Sequence, residues 1–232
     1  MRELVDAVVV DWEPAQWQKN QRRKVSSVVV PALFDAQAYL REVLEIQPPP
    51  ARLVPYLAPL ASAEFAHSIS ATEMWLHVTG SEVDHYRKLA RRSDEITGQM
   101  VHEMVHCVMF GQNRDNTLLE KAAGEGVAYV AQAYVCHEML DVPLDQTLLG
   151  VPVDAEDLLE GFYQCPHLEV DLATEDKGVQ AAFKEWITGD VYPGTYIGYG
   201  EALGVACVRS WVQDYGYDLA TIIQWPAEKI IS

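Results

Sequence analysis

Two histidines separated by three residues form the most chemically distinctive pattern in the chain. His102, Glu103 and His106 occur as H-E-x-x-H inside a segment predicted to be helical. On an α-helix, positions i and i+4 share one face, so both imidazoles can bind one metal ion. Glu103 follows the first histidine directly, where its carboxylate can take a proton from water activated by the metal. The pattern predicts a catalytic zinc (Zn2+) site with His102 and His106 as ligands and Glu103 as general base.

A catalytic zinc site uses three protein ligands and leaves one position for water, so one further ligand is expected nearby. Glu125 lies in the next predicted helix. If the two helices form an antiparallel hairpin through residues 111–116, a rise of about 1.5 Å per residue brings Glu125 level with the histidines. Gly124 and Gly126 each cost a helix about 1 kcal/mol relative to alanine, which favours a close helix approach as their role. The sequence therefore predicts Glu125 as the third ligand, and a helix contact without metal is the alternative.

A resemblance to a known group of enzymes rests on these residues. The segment Glu125–Tyr129 (EGVAY) after H-E-x-x-H resembles the gluzincin clan of metallopeptidases, in which an E-G-x-A-type helix follows the motif. Within that clan the chain resembles the minigluzincin-related predicted zinc proteases (the DUF2268 type), which end in a similar segment to Pro193–Gly200 (PGTYIGYG) before a helix. The resemblance covers about residues 69–232. It implies the same zinc ligands and general base, with peptides or proteins as substrates.

The resemblance also implies a side chain that donates a hydrogen bond to the developing oxyanion, usually a tyrosine or histidine outside the two zinc helices. Tyr196 and Tyr199 are the predicted catalytic donors, because the glycines around them let the backbone approach the site closely. Packed rings with solvated hydroxyl groups are the alternative for both tyrosines. His167, in a loop-rich region, is a third candidate. His137 begins a similar pattern without a second histidine, and we expect it at the surface.

The helices that must position the ligands have clear ends in the sequence. The first is predicted from about residue 93 to 110, with Gly111 placed for a left-handed C-terminal cap. The second is predicted to continue to about residue 139 after Thr117, which has the spacing of a capping box. Both zinc helices are therefore defined by local signals.

The remaining elements are less sharply defined. A helix interrupted at Pro31 is predicted over residues 13–45, because proline removes a backbone donor. Apolar residues recur at helical spacing over residues 51–67, whereas Glu73–Thr79 alternates like a half-buried or edge strand. A last long helix is predicted over residues 196–214. The predicted fold class is α+β, mainly α, with the two zinc helices as an antiparallel pair beside a small sheet.

The length of 232 residues suits a single metallopeptidase-like domain over residues 1–232. Within it, we predict an N-terminal helical extension at residues 1–50 and a loop-rich insertion or lid at residues 141–190.

Composition and charge narrow the class of protein. The formal net charge of −17 argues against a nucleic-acid partner, because phosphate contacts need clustered lysine and arginine. No segment reaches the roughly 18 apolar residues of a membrane span, and we find no secretory signal. The four cysteines lack paired short spacings, which indicates free thiols and a cytoplasmic location. The expected partner is a peptide or protein substrate, with no nucleic acid and no membrane.

The H-E-x-x-H motif predicts a zinc-dependent hydrolase, and the resemblance to the gluzincins implies that it cleaves peptide bonds. The strand at Glu73–Thr79 is expected to offer its edge to an extended peptide. Two alternatives remain: a non-catalytic metal-binding protein with a regulatory or interaction role, and a zinc hydrolase of non-peptide amides. The intact Glu103 favours an enzyme, because a site without turnover has no use for a base at that position.

Overall fold

The computed structural model describes residues 2–12, 16–58, 66–79, 90, 93–112, 116–143, 155–187 and 198–232. Within these ranges the chain is mainly helical with one small sheet, which confirms the α+β, mainly α prediction. None of the helices described is both long enough and apolar enough to cross a membrane. The chain divides into two compact units: the first is Met1–Gly111 with Val135–Asp141, and the second is Gln112–Tyr134 with Val142–Ser232.

The first unit contains a mixed sheet. Its strands are β1 (Arg2–Val5), β2 (Val8–Asp11), β3 (Ala51–Ala58), β4 (Ala66–Ser70) and β5 (Glu73–Thr79). Among the described residues their order is β1-β2-β3-β5-β4. Parallel pairing joins β2 to β3 and β3 to β5, whereas the β1–β2 and β4–β5 pairs are antiparallel. Strand β4 therefore forms one edge of the sheet.

Two predictions about this region are wrong. The segment 51–58 is strand β3 rather than helix, because it pairs with β2 on one side and β5 on the other. Its consecutive buried residues Leu53 and Val54 obscure the two-residue alternation by which a strand is usually detected. Strand β5 alternates between buried and half-buried residues as predicted, but it lies between β3 and β4. The edge strand beside β5 is β4.

The N-terminal strands β1 and β2 form a hairpin that the sequence did not reveal. A buried side chain from the following helix secures its turn. Gln37 accepts a hydrogen bond from the Ala7 N–H at 2.9 Å and donates one to the Val5 carbonyl at 3.0 Å. The first fifty residues therefore contain two strands of the sheet as well as a helix.

Helix α1 (Lys19–Glu42) contains Pro31 without an interruption, contrary to the prediction. A proline in a helix interior costs about 3 kcal/mol, because it removes one backbone hydrogen bond and its ring clashes with the preceding turn. An apolar stripe that includes Val28, Leu33 and Leu40 is buried along the same helix and offsets that cost. Helix α1 packs against α2 (Ser93–Gly111), and α2 also contacts β4 and β5. The bounds predicted for α2 are confirmed, but the predicted left-handed cap is wrong, because Gly111 is the last helical residue and does not have a positive φ.

The second unit is built from helices. They are α3 (Leu118–Leu140, whose last residues belong to the first unit), α4 (Ala155–Tyr163), α5 (Lys177–Trp186), α6 (Tyr199–Gln213), α7 (Leu219–Ile222) and α8 (Ala227–Ile230). The predicted capping box of α3 is confirmed, because Thr117 Oγ1 accepts the Glu120 N–H and Glu120 Oε2 accepts the Thr117 N–H, both at 3.1 Å. Helix α6 packs against α4, α5, α7 and α8.

Candidate metal centre

Helix α2 carries His102, Glu103 and His106 on a face that is directed into the protein. Their relative exposures are only 8%, 5% and 2%. The two Nε2 atoms lie 3.1 Å apart. Two nitrogens bound to one tetrahedral zinc ion at 2.0–2.1 Å would lie about 3.3 Å apart. The spacing of the two imidazoles is therefore close to the spacing that one shared ion requires.

Glu125, on α3, completes a cluster with the two histidines. One ligand atom from each of His102, His106 and Glu125 lies within 4.8 Å of the others, and all three residues are buried. A buried group of two imidazoles and one carboxylate could bind a metal ion. Among the residues that the structure describes, this is the one group of three or more histidine, cysteine or acidic side chains with such an arrangement. Its donor set is the His2Glu type found in catalytic zinc sites.

The Glu103 carboxylate is oriented by the edge strand. Its Oε2 accepts a short hydrogen bond from the Ser68 N–H of β4. The side chain is buried next to His102 in sequence but does not belong to the three-residue cluster. The Glu103 carboxylate is therefore held by β4 and is not one of the three potential metal ligands.

The surroundings of Glu125 include two ionisable residues, Lys121 and Glu201, in addition to the predicted ligands. Lys121 Nζ lies 3.1 Å from Glu125 Oε1. Glu201, on α6, is buried, and its Oε2 accepts the Gly198 N–H at 2.9 Å. Burial raises the pKa of Glu201 to about 9, and the neighbouring Glu125 carboxylate contributes to that rise. The i, i+4 spacing of Lys121 and Glu125 could have predicted their ion pair from the sequence. No sequence pattern indicated that Glu201 would lie near Glu125.

A close helix crossing holds Glu125 in place. A Cβ atom at Gly126 would lie 2.4 Å from the backbone C and O atoms of Gly204 on α6. A Cβ atom at Gly204 would in turn lie 2.1 Å from the Ala122 carbonyl oxygen. The sequence predicts a close contact between Gly126 and the histidine-bearing helix, whereas the contact observed is with α6. Two glycines therefore let α3 and α6 touch backbone to backbone beside the metal cluster.

Replacing Gly126 with alanine is expected to destabilise the protein. Alanine gains about 1 kcal/mol of helix propensity, but its methyl group meets backbone atoms that cannot rotate away. Overpacking of this kind costs about 1–3 kcal/mol, so we expect a lower melting temperature and weaker metal binding. Gly161→Ala in α4 is the matched control, because among the described residues its Cβ would meet Trp186 alone, at an ordinary contact distance of 3.6 Å. A Gly126→Ala protein as stable as the parent would contradict the close crossing.

The three residues predicted as oxyanion donors are found in different surroundings, or lie outside the described residues. Tyr199 is 41% exposed, and its ring centroid lies 5.9 Å from that of Trp186. Tyr196 lies outside the described residues. His167 is half-buried and, with Cys165 and Trp186, lines a cavity of about 330 Å³ in the second unit. The oxyanion role of these residues stays a prediction.

Two further residues lie outside the cluster, and one of them, His137, was expected at the surface. His137 is exposed on α3. Cys107 is buried, its thiol donates to the Ser70 carbonyl at 3.4 Å, and burial raises its pKa to about 12. A thiol with so high a pKa remains protonated at neutral pH and is a poor metal ligand.

Comparison with known proteins returned no relative: no protein-family model, no curated protein and no solved structure matches the chain.

Proposed function

We propose that this protein is a zinc-dependent hydrolase that cleaves peptide bonds, of the gluzincin type. The observation that carries the proposal is the buried cluster of His102, His106 and Glu125, together with Glu103, which follows His102 in sequence and is buried on the same helix. Two imidazoles and one carboxylate are the ligands of known zinc peptidases, and they leave room for water. When bound, zinc acidifies water and polarises a carbonyl group.

Within the proposed reaction, Glu103 moves the proton. Its carboxylate takes a proton from the attacking water and returns it to the nitrogen of the departing amine. The hydrogen bond from the Ser68 N–H to Oε2 restricts rotation of the carboxylate, so one oxygen is held while the other can receive the proton. Burial of Glu103 keeps bulk water away from this transfer. Glu103 therefore acts as general base and then as general acid.

Strand β4 is the proposed binding place for the peptide. It is paired on one side by β5 and is the edge strand of the described sheet. An extended peptide could add to this edge through main-chain hydrogen bonds, which confer affinity with little selectivity for side chains. Because Ser68 of β4 also contacts Glu103, a peptide aligned along this strand would lie near the base. A peptide is favoured over other amides because it can pair with a strand edge.

A cytoplasmic location fits this proposal. Cys107, Cys136, Cys165 and Cys207 are all free thiols, the form that a reducing compartment maintains.

The test combines metal analysis with a broad peptide library. The purified protein is expected to contain close to one zinc ion per chain and to cleave members of the library. Treatment with a chelator should abolish cleavage, and added zinc should restore it. Bound zinc without cleavage of any peptide would favour a non-catalytic metal protein. Cleavage that persists after complete removal of the metal would contradict the proposed mechanism.

A further inference from the structure

Lys121 precedes Glu125 by one turn of α3, and its ammonium group contacts the carboxylate directly. Nζ lies 3.1 Å from Oε1, and the two side chains are 21% and 9% exposed. Ion pairs at the surface contribute little because water screens them. This pair is largely shielded from water, so the attraction between its charges is much stronger.

Glu201 also has a carboxyl group near Lys121, but that group accepts a hydrogen bond from a different residue. Its Oε2 accepts the N–H of Gly198, the residue that caps α6. Of the two acids, Glu125 is the one whose oxygen lies within ion-pair distance of the ammonium. The same Glu125 carboxylate also belongs to the cluster with His102 and His106.

We propose that Lys121 is a positioning residue that competes with the metal ion for the carboxylate of Glu125. The ammonium group and the metal ion are both cations, and each is stabilised by the same buried carboxylate. By reciprocity, an ion pair that weakens when metal binds must also weaken metal binding. Lys121 therefore holds Glu125 in place when no metal is bound and lowers the affinity of the site. This inference rests on the metal site of the proposed function and not on peptide hydrolysis.

Replacing Lys121 with methionine tests the competition, because it removes the charge and retains most of the length. We expect the chelator-treated variant to melt at a lower temperature than the chelator-treated parent, since Glu125 loses its ion pair with Lys121. We expect the same variant to bind zinc more tightly, with a dissociation constant at least about tenfold lower in competition with a coloured chelator. If Lys121 acts only in packing, its replacement by methionine would lower the melting temperature without tightening zinc binding.

Two further variants serve as controls. Lys121→Arg keeps a cation beside Glu125 and should retain the affinity of the parent. Lys177→Met removes an exposed lysine from α5 and controls for the loss of one positive charge. The proposal would be overturned if Lys121→Met bound zinc with the same affinity as the parent, or more weakly. If this variant does not fold after chelation, Lys121→Gln, whose amide can still donate to the carboxylate, is judged by the same criterion.

The result also separates this inference from the proposed function. A parent protein that binds no zinc would refute the metal site itself. A parent that binds zinc, with no tighter binding by the uncharged variants, would refute only the competition between Lys121 and the metal.

Discussion

Glu103→Gln is expected to lower peptide hydrolysis by at least about 10²-fold, the usual scale for losing a general base. Glutamine keeps the size of the side chain, and its amide oxygen can still accept the hydrogen bond from Ser68. The variant should therefore fold normally and bind zinc like the parent, because Glu103 is not part of the ligand cluster. Turnover of a peptide found in the library screen and zinc content of the same sample are the measurements.

Glu95→Gln is the matched control for this experiment. Glu95 is exposed in the first turn of α2, the helix that also carries Glu103. Neutralising it costs a few tenths of a kcal/mol of helix-dipole stabilisation, so we expect turnover close to that of the parent. If Glu103→Gln hydrolysed the peptide as fast as the parent, the proposed role of Glu103 would be wrong and the metal site would need a structural explanation.

His106→Ala is expected to remove the metal from the protein. His106 is 2% exposed, and its Nε2 lies 3.1 Å from that of His102. Loss of a partner outside the ligand set costs about 10- to 100-fold in metal affinity, so loss of a ligand should cost more than that. Glu125→Gln should weaken binding less, because an amide oxygen remains as a poor neutral donor. Zinc content after gel filtration measures both effects.

The control for the ligand variants is His137→Ala, which removes an exposed histidine from α3. We expect this variant to retain zinc at the level of the parent. Full zinc occupancy of His106→Ala would show that another residue completes the site, and the ligand assignment would have to be abandoned.

The sequence alone determined the two helices of the candidate site and most of its side chains. The i, i+4 spacing of His102 and His106 brings both imidazoles to one face of any α-helix, regardless of what surrounds it. The start of α3 was also a local signal, because the Thr117 capping box begins that helix. Interactions over three or four residues are contained in any short stretch of sequence, so they could be predicted without knowing the fold.

Tertiary structure alone decided the sheet and the surroundings of Glu125. Strand β3 became a central strand because two neighbours pair with it, a fact that its own apolar pattern does not contain. Gly126 was predicted to contact the histidine-bearing helix. The backbone that it meets instead belongs to Gly204, which is distant in sequence. Glu201 reaches the vicinity of Glu125 only through that crossing of α3 and α6. Strand pairing and helix crossing join residues that are distant in sequence, and short-range patterns carry no information about which distant partners will meet.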